Sequence, residues 1–175
     1  NRSNVYLWWD DFSTNTLSNY NLGSHLHYHG TGYASPSYDS SNEEVDVDTE
    51  DNRDTGFKPI GLSEKNVLAK ATYRITGNYP IDSTVGVGLR WSSTSSYYTG
   101  HISGGSYVSP AIAKDGRTNY LATPGSNTYH PKDGSSFTLA FAVWENNLKL
   151  WYNDSITPLP FIPQQEDFKA LNLLM

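Results

Sequence analysis

Cysteine is absent from this 175-residue chain, methionine occurs once, and only 17% of the residues are charged. Without thiols there is no disulfide framework, no cysteine nucleophile and no thiolate metal site. The missing cysteines do not fix a compartment, because surface proteins of many bacteria and phages also manage without them. Twelve basic residues against eighteen acidic ones leave a net charge of −6. A phosphate backbone needs clustered Lys and Arg, so a nucleic-acid partner is excluded. No apolar run approaches the roughly 18 residues of a spanning helix, so no membrane insertion is expected. No secretion signal is expected from the opening residues. The chain begins at Asn1 and stops at Met175 directly after the run LNLLM, which suggests a piece of a larger or multivalent assembly.

What is abundant is Gly, Ser, Asn, Thr and above all Tyr, with thirteen Tyr and five Trp. This mixture suits strands joined by turns and argues against helical bundles. The length fits one domain, residues 1–175, able to bury a sizeable core. Strands are expected over Val5 to Phe12, Val67 to Thr76, Thr84 to Trp91, Ser96 to Ile102, Val108 to Ala113 and Thr118 to Ala122. Tyr20 to His29 alternates, with His25, His27 and His29 on one side. Residues 30–56 are polar and promise at most one short strand, Val45 to Asp48. Asp167 to Leu174 reads as a last strand, with a short helix competing there.

The clearest local signal is FTLAFAVWENNLKLWYN, Phe137 to Asn153. It reads as a hairpin closed at Asn146-Asn147. That turn places Trp144 opposite Lys149, Val143 opposite Leu150, Ala142 opposite Trp151 and Phe141 opposite Tyr152. A period of two then gathers Phe137, Leu139, Phe141, Val143, Leu148, Leu150 and Tyr152 on an apolar face. Ala142, Trp144, Lys149 and Trp151 form the other face. A one-residue slip would destroy this division.

Several segments in consistent order resemble the concanavalin A-like lectin/glucanase superfamily in its laminin G-like form. They are the opening Asp10-Asp11-Phe12-Ser13 followed by Leu17-Ser18-Asn19-Tyr20, and the strand Val85 to Arg90 with Tyr97-Tyr98 through Ile102. Ala113-Lys114-Asp115-Gly116 through Ala122 and the Phe137 to Asp154 hairpin complete the series. The resemblance covers most of the chain, although residues 30–65 have no counterpart. It implies an all-β fold, a two-sheet antiparallel jelly-roll β-sandwich with one concave sheet. It implies carbohydrate recognition more often than other activities, but the superfamily also holds glucanases, protein-binding modules and structural domains.

Arg90, Tyr97, Thr99 and His101 are expected on one outward face of two adjacent strands, beside Gly86 and Gly88. In galectin-like members the corresponding sheet binds sugar. The chemistry suits that role, because a sugar needs a flat apolar platform and polar groups for its hydroxyls. The bland alternative is an ordinary solvated sheet face. Trp144 and Trp151 offer a second stacking surface, unless the 30–65 region covers them or Lys149 lies over Trp144. By the resemblance, this hairpin belongs to the sheet away from the sugar. His25, His27 and His29 suggest a metal at first sight. The outer two lie roughly 13 Å apart at about 3.3 Å per residue, so a polar strand face is the better reading, with His27 still able to touch a ligand.

Glu44, Asp46 and Asp48 would point to one side of a strand. Retaining glucanases of this superfamily carry a Glu-x-Asp-x-Glu run for nucleophile and acid/base, with carboxyls about 5–5.5 Å apart. Here the last position is Asp48, one methylene shorter, and the run comes early in the chain. A solvated acidic loop or a calcium site are the alternatives. Asn1-Arg2-Ser3 and Asn153-Asp154-Ser155 fit the glycosylation sequon, which is too short to decide anything.

The leading expectation is a non-catalytic carbohydrate-binding module recognising a cell-surface glycan or polysaccharide. It would work outside the cell, on a bacterial surface or on a virion as part of a phage tail adhesion component. No cofactor is required, with calcium open. The alternatives are a glycoside hydrolase using Glu44, Asp46 and Asp48, and a structural or protein-interaction domain.

Overall fold

A computed structural model describes residues 9–22, 32–33, 36–47, 53–54, 57–62, 66–76, 84–93, 96–103, 109–114, 119–123, 134–153, 155 and 162–163. The fold is all-β. The described residues form strands, turns and one 3-10 turn, Leu17–Asn19. The chain falls into two compact units, Asn1–Ser63 and Glu64–Met175.

The first unit contains β1 (Tyr20–Leu22), β2 (Gly32–Tyr33), β3 (Ser37–Asp39), β4 (Glu44–Asp46), β5 (Arg53–Asp54) and β6 (Phe57–Pro59). β1 pairs antiparallel with β6, β3 antiparallel with β4, and β2 parallel with β5. This corrects the expectation of at most one short strand in residues 30–56. Strands of two or three residues are too short to show a period, so composition concealed them. Residues 9–12 are not part of a strand either. Asp10 gathers them into a loop: its Oδ1 accepts the Phe12 backbone N–H at 2.9 Å. Its Oδ2 accepts the hydroxyls of Thr16 at 2.5 Å and Tyr20 at 2.8 Å. Phe12 takes φ 54° and stacks on Tyr20 with centroids 5.9 Å apart. The Asp-Asp-Phe-Ser signature is therefore Asx-turn chemistry, in which a short carboxylate satisfies nearby backbone donors. Residues 1–8, His25, His27, His29, Asp48 and the expected strand Asp167 to Leu174 lie outside the described residues.

The second unit holds β7 (Val67–Arg74), β8 (Thr84–Ser93), β9 (Ser96–Ser103), β10 (Ser109–Lys114), β11 (Asn119–Thr123), β12 (Ser136–Trp144), β13 (Asn147–Tyr152) and β14 (Ile162–Pro163). β8 to β11 form an antiparallel meander that β14 extends beside β11, giving a five-stranded sheet. β12 lies between β7 and β13 in a three-stranded antiparallel sheet. The two sheets face each other across one apolar core. Val87, Leu89, Ile102 and Ile112 come from the first, and Phe137, Leu139, Phe141, Val143, Leu148 and Leu150 from the second. Strict alternation along β12 buries Phe137, Leu139, Phe141 and Val143 and turns Thr138, Ala140, Ala142 and Trp144 the other way. At one end of the core Phe137 stacks between Tyr73 at 5.6 Å and Tyr152 at 5.9 Å. The Tyr73 hydroxyl donates to the Gly86 carbonyl at 2.7 Å, and burial pushes its pKa up.

The β12–β13 hairpin keeps both expected faces but not the expected pairing. Val143 faces Leu148, Phe141 faces Leu150, Leu139 faces Tyr152, Ala142 faces Lys149 and Ala140 faces Trp151. The turn is Glu145-Asn146 rather than Asn146-Asn147, so Trp144 lies opposite Asn147 and not Lys149. Asn is the residue that tolerates a left-handed backbone most readily, yet here Glu145 adopts it at φ 52°. Below the turn, Asn153 at φ 50° prolongs the pairing. Its backbone N–H donates to the Thr138 carbonyl at 3.0 Å, and its Oδ1 accepts the Thr138 N–H at 3.0 Å.

Close approach of the two sheets depends on Gly100. A Cβ there would lie 2.7 Å from Leu150 Cδ1 and 2.8 Å from Phe141 Cδ2. Gly100→Ala is therefore expected to cost about 1–3 kcal/mol by overpacking, and Phe141→Ala about 3–5 kcal/mol by leaving a cavity. Chemical denaturation followed by tryptophan fluorescence measures both. An unchanged midpoint in either variant would contradict the packing described.

Candidate functional site

The outer face of the five-stranded sheet carries the expected row, but not as an open platform. Gly86 pairs with His101 and Gly88 with Thr99, while Ala111 and Ala113 continue the two rows on β10. The glycines are exposed and Thr99 is half-buried. Tyr97, His101, Ala111 and Ala113 are buried, with His101 only 1% accessible. Thr99 Oγ1 and His101 Nδ1 share a hydrogen bond of 3.2 Å. Strand periodicity identifies which residues share a face but not whether that face is covered. The expectation of exposed Tyr97 and His101 is thus corrected.

Arg90 has left the row altogether. A register irregularity falls between Leu89 and Ser93, and Arg90 takes φ 51°. A bulge of this kind re-aims a side chain. The Arg90 Nη2 donates to the Glu145 carbonyl at 2.7 Å and to Asn66 Oδ1 at 3.3 Å. Asn66 Oδ1 also accepts the Glu145 backbone N–H at 2.8 Å. One amide and one guanidinium therefore satisfy both backbone groups of the residue that opens the hairpin turn. Arg90 is tied to the opposite sheet and does not point to the Gly86–His101 row.

Among the described residues Trp9, Ile60, Leu68 and Trp144 are the exposed large apolar side chains, and the last two share the outer face of the three-stranded sheet. Trp144 is 60% exposed and Leu68 62%. Rows across the sheet follow from the pairing. Lys70, Ala140 and Trp151 form one, and Leu68, Ala142 and Lys149 the next. Trp144 and Asn147 close the strip beside the turn. The central strand therefore supplies a floor of small side chains, and the two outer strands supply walls about 10 Å apart at two inter-strand spacings. Trp151 is half-buried and sits opposite Ala140. Trp144 stands four positions on from Ala140, so the two tryptophans lie roughly 13 Å apart along the strip, one row farther than the expected pairing of Ala142 with Trp151 would place them. Leu68 escaped notice because Val67 to Arg74 reads first for its inward positions.

Among the described residues of the acidic run, Glu44 and Asp46 are joined by Asp39, while Asp48 lies outside the described residues. Ligand atoms of Asp39, Glu44 and Asp46 lie within 4.8 Å of one another. Asp39 faces Glu44 across the β3–β4 hairpin, a contact no spacing along the chain announces. Both Asp39 oxygens serve the turn: Oδ1 accepts the Ser41 N–H at 2.7 Å and Oδ2 the Asn42 side-chain amide at 2.6 Å. Calcium takes six to eight oxygens, so these three residues would supply only part of a shell. The Asn42 side chain, then the Ser41 N–H, hold the Asp39 carboxyl below its ordinary 3.8.

Comparison of the chain with protein-family models, curated proteins and solved structures finds no match.

Two outcomes test this geometry. Arg90→Ala and Asn66→Ala are each expected to lower stability by about 1 kcal/mol. Their effects should be less than additive in the double variant, since both act on the Glu145 turn; strict additivity would contradict the shared clamp. The lowered Asp39 pKa means that the ionised form supports the β3–β4 turn above pH 3.8 and that this support fades as pH falls through the still lower folded value. The Ser41 amide resonance should therefore titrate with a midpoint below 3.8, and should lose this titration in Asp39→Asn.

Proposed function

We propose that this chain is a non-catalytic carbohydrate-binding module whose two facing sheets belong to a jelly-roll sandwich. We place its ligand contact on the outer face of the three-stranded sheet. The observation that carries the reading is Trp144, an indole 60% exposed at the end of an alanine-floored strip that also bears Leu68 and Trp151. A large aromatic left in water costs hydration free energy unless something covers it in use. A sugar ring, with one apolar face and a rim of hydroxyls, suits an indole plate beside Lys, Thr and Asn groups. The floor of Ala140 and Ala142 leaves room for a chain to lie along β12.

The partner is a cell-surface glycan or polysaccharide, met outside the cell by a module on a bacterial surface or virion. Contact through one shallow strip is weak, and repetition in a larger assembly would strengthen it. No acid/base pair is required for binding.

The test is titration calorimetry against soluble polysaccharides chosen by glycan array. Trp144→Ala should weaken binding about tenfold, or about 1.4 kcal/mol, while leaving the unfolding midpoint unchanged because the side chain is exposed. Undiminished binding would overturn this placement. Polysaccharide cleavage that disappears in Glu44→Gln would overturn the non-catalytic reading in favour of a hydrolase.

A further inference from the structure

The strip that holds Trp144 has a charge opposite to that of the chain. The whole sequence carries 18 acidic against 12 basic residues. Among the described residues of this face, three are cationic, Lys70, Arg74 and Lys149, and none is acidic. The nearest carboxylate in sequence, Glu145, belongs to the turn beyond Trp144.

The placement of the two groove lysines is also specific. Lys70 stands on the β7 wall beside Ala140, with Trp151 opposite. Lys149 stands on the β13 wall beside Ala142, with Leu68 opposite. Each row thus sets an apolar group against a cation, and the sides exchange from one row to the next. The step between rows is two residues, about 6.6 Å along the strand.

We infer that this strip binds a carboxylated polysaccharide, a polymer of uronic acid residues, with its chain lying along β12. The inference rests on the proposed glycan-binding reading of the same face and narrows the ligand to one class. In a ribbon-like polysaccharide, successive sugars are turned over relative to one another. Their carboxylates point to alternate edges of the ribbon, and their apolar ring faces lie above and below it. Lys70 and Lys149 on opposite walls, one row apart, meet the first pattern, while the floor of Ala140 and Ala142, flanked by Trp151 and Leu68, takes a ring face. Lysine is a compact point charge that a carboxylate on a flexible ring can meet at varied angles. No arginine stands in the rows of Ala140 and Ala142, so the cations there act as point charges and not as bidentate forks. Arg74 lies farther down β7, opposite Ser136.

The test compares polygalacturonate with the same polymer after its carboxyls are reduced to alcohols, and with a sulfated polysaccharide. The wild-type chain should bind polygalacturonate at least tenfold more tightly than the reduced polymer. That preference should shrink as salt rises from about 0.1 M to about 1 M, which shortens the screening length from about 10 Å to about 3 Å. Lys70→Gln/Lys149→Gln should bind both polymers alike while keeping the wild-type circular dichroism spectrum. Equal wild-type affinity for the two, with both lost in Trp144→Ala, would overturn this inference and leave the glycan reading intact. A preference for the sulfated polymer, or one for polygalacturonate that survives in the double lysine variant, would also overturn it. Binding to none of the polymers would count against both readings.

Discussion

Everything at the exposed strip depends on the way β12 is buried from one side. Phe137, Leu139, Phe141 and Val143 insert between the two sheets. Gly100 lets Phe141 and Leu150 come within contact of the facing backbone. Because a strand presents alternate residues to opposite faces, this packing also dictates what appears outside. Thr138, Ala140, Ala142 and Trp144 occupy their places only because their neighbours are locked inside. The floor and its terminal indole are the reverse side of the core, and their rigidity is borrowed from it.

The faces of this hairpin were legible in the sequence, while its pairing was not. The expected and observed registers differ by two residues, and a shift of two preserves every inward and outward assignment. In the observed register two distant residues, Asn66 and Arg90, bond to the backbone of Glu145. No local preference would choose glutamate for a left-handed turn position over asparagine. The same limit appears at Arg90, whose side chain is redirected by a bulge that alternation does not foresee. At Tyr97 and His101, alternation names the correct face but says nothing about what lies over it. The Asp39–Glu44 contact comes from a hairpin whose strands are too short to leave any pattern.

The opening Asp-Asp-Phe-Ser segment shows why a resemblance can rest on construction and not on use. Asp10 accepts bonds from Phe12, Thr16 and Tyr20, and Asn15 accepts the Leu17 N–H at 3.2 Å. These residues stabilise a loop entering a strand. They identify a way of building with short polar side chains, and such construction is compatible with many activities. A reading of function has to come from exposed groups, and on the three-stranded sheet those include Trp144, Leu68 and Lys70.

The clamp on Glu145 gives the hairpin an adjustable stop. Lengthening or shortening its loop by an even number of residues would slide β13 along β12 without turning any core residue outward. Trp151 and Lys149 would then move by whole steps relative to Trp144, and Leu148 and Leu150 would move by the same steps inside the core. A small change at one turn would thus reset the spacing of the exposed groups while asking the core to repack apolar residue for apolar residue.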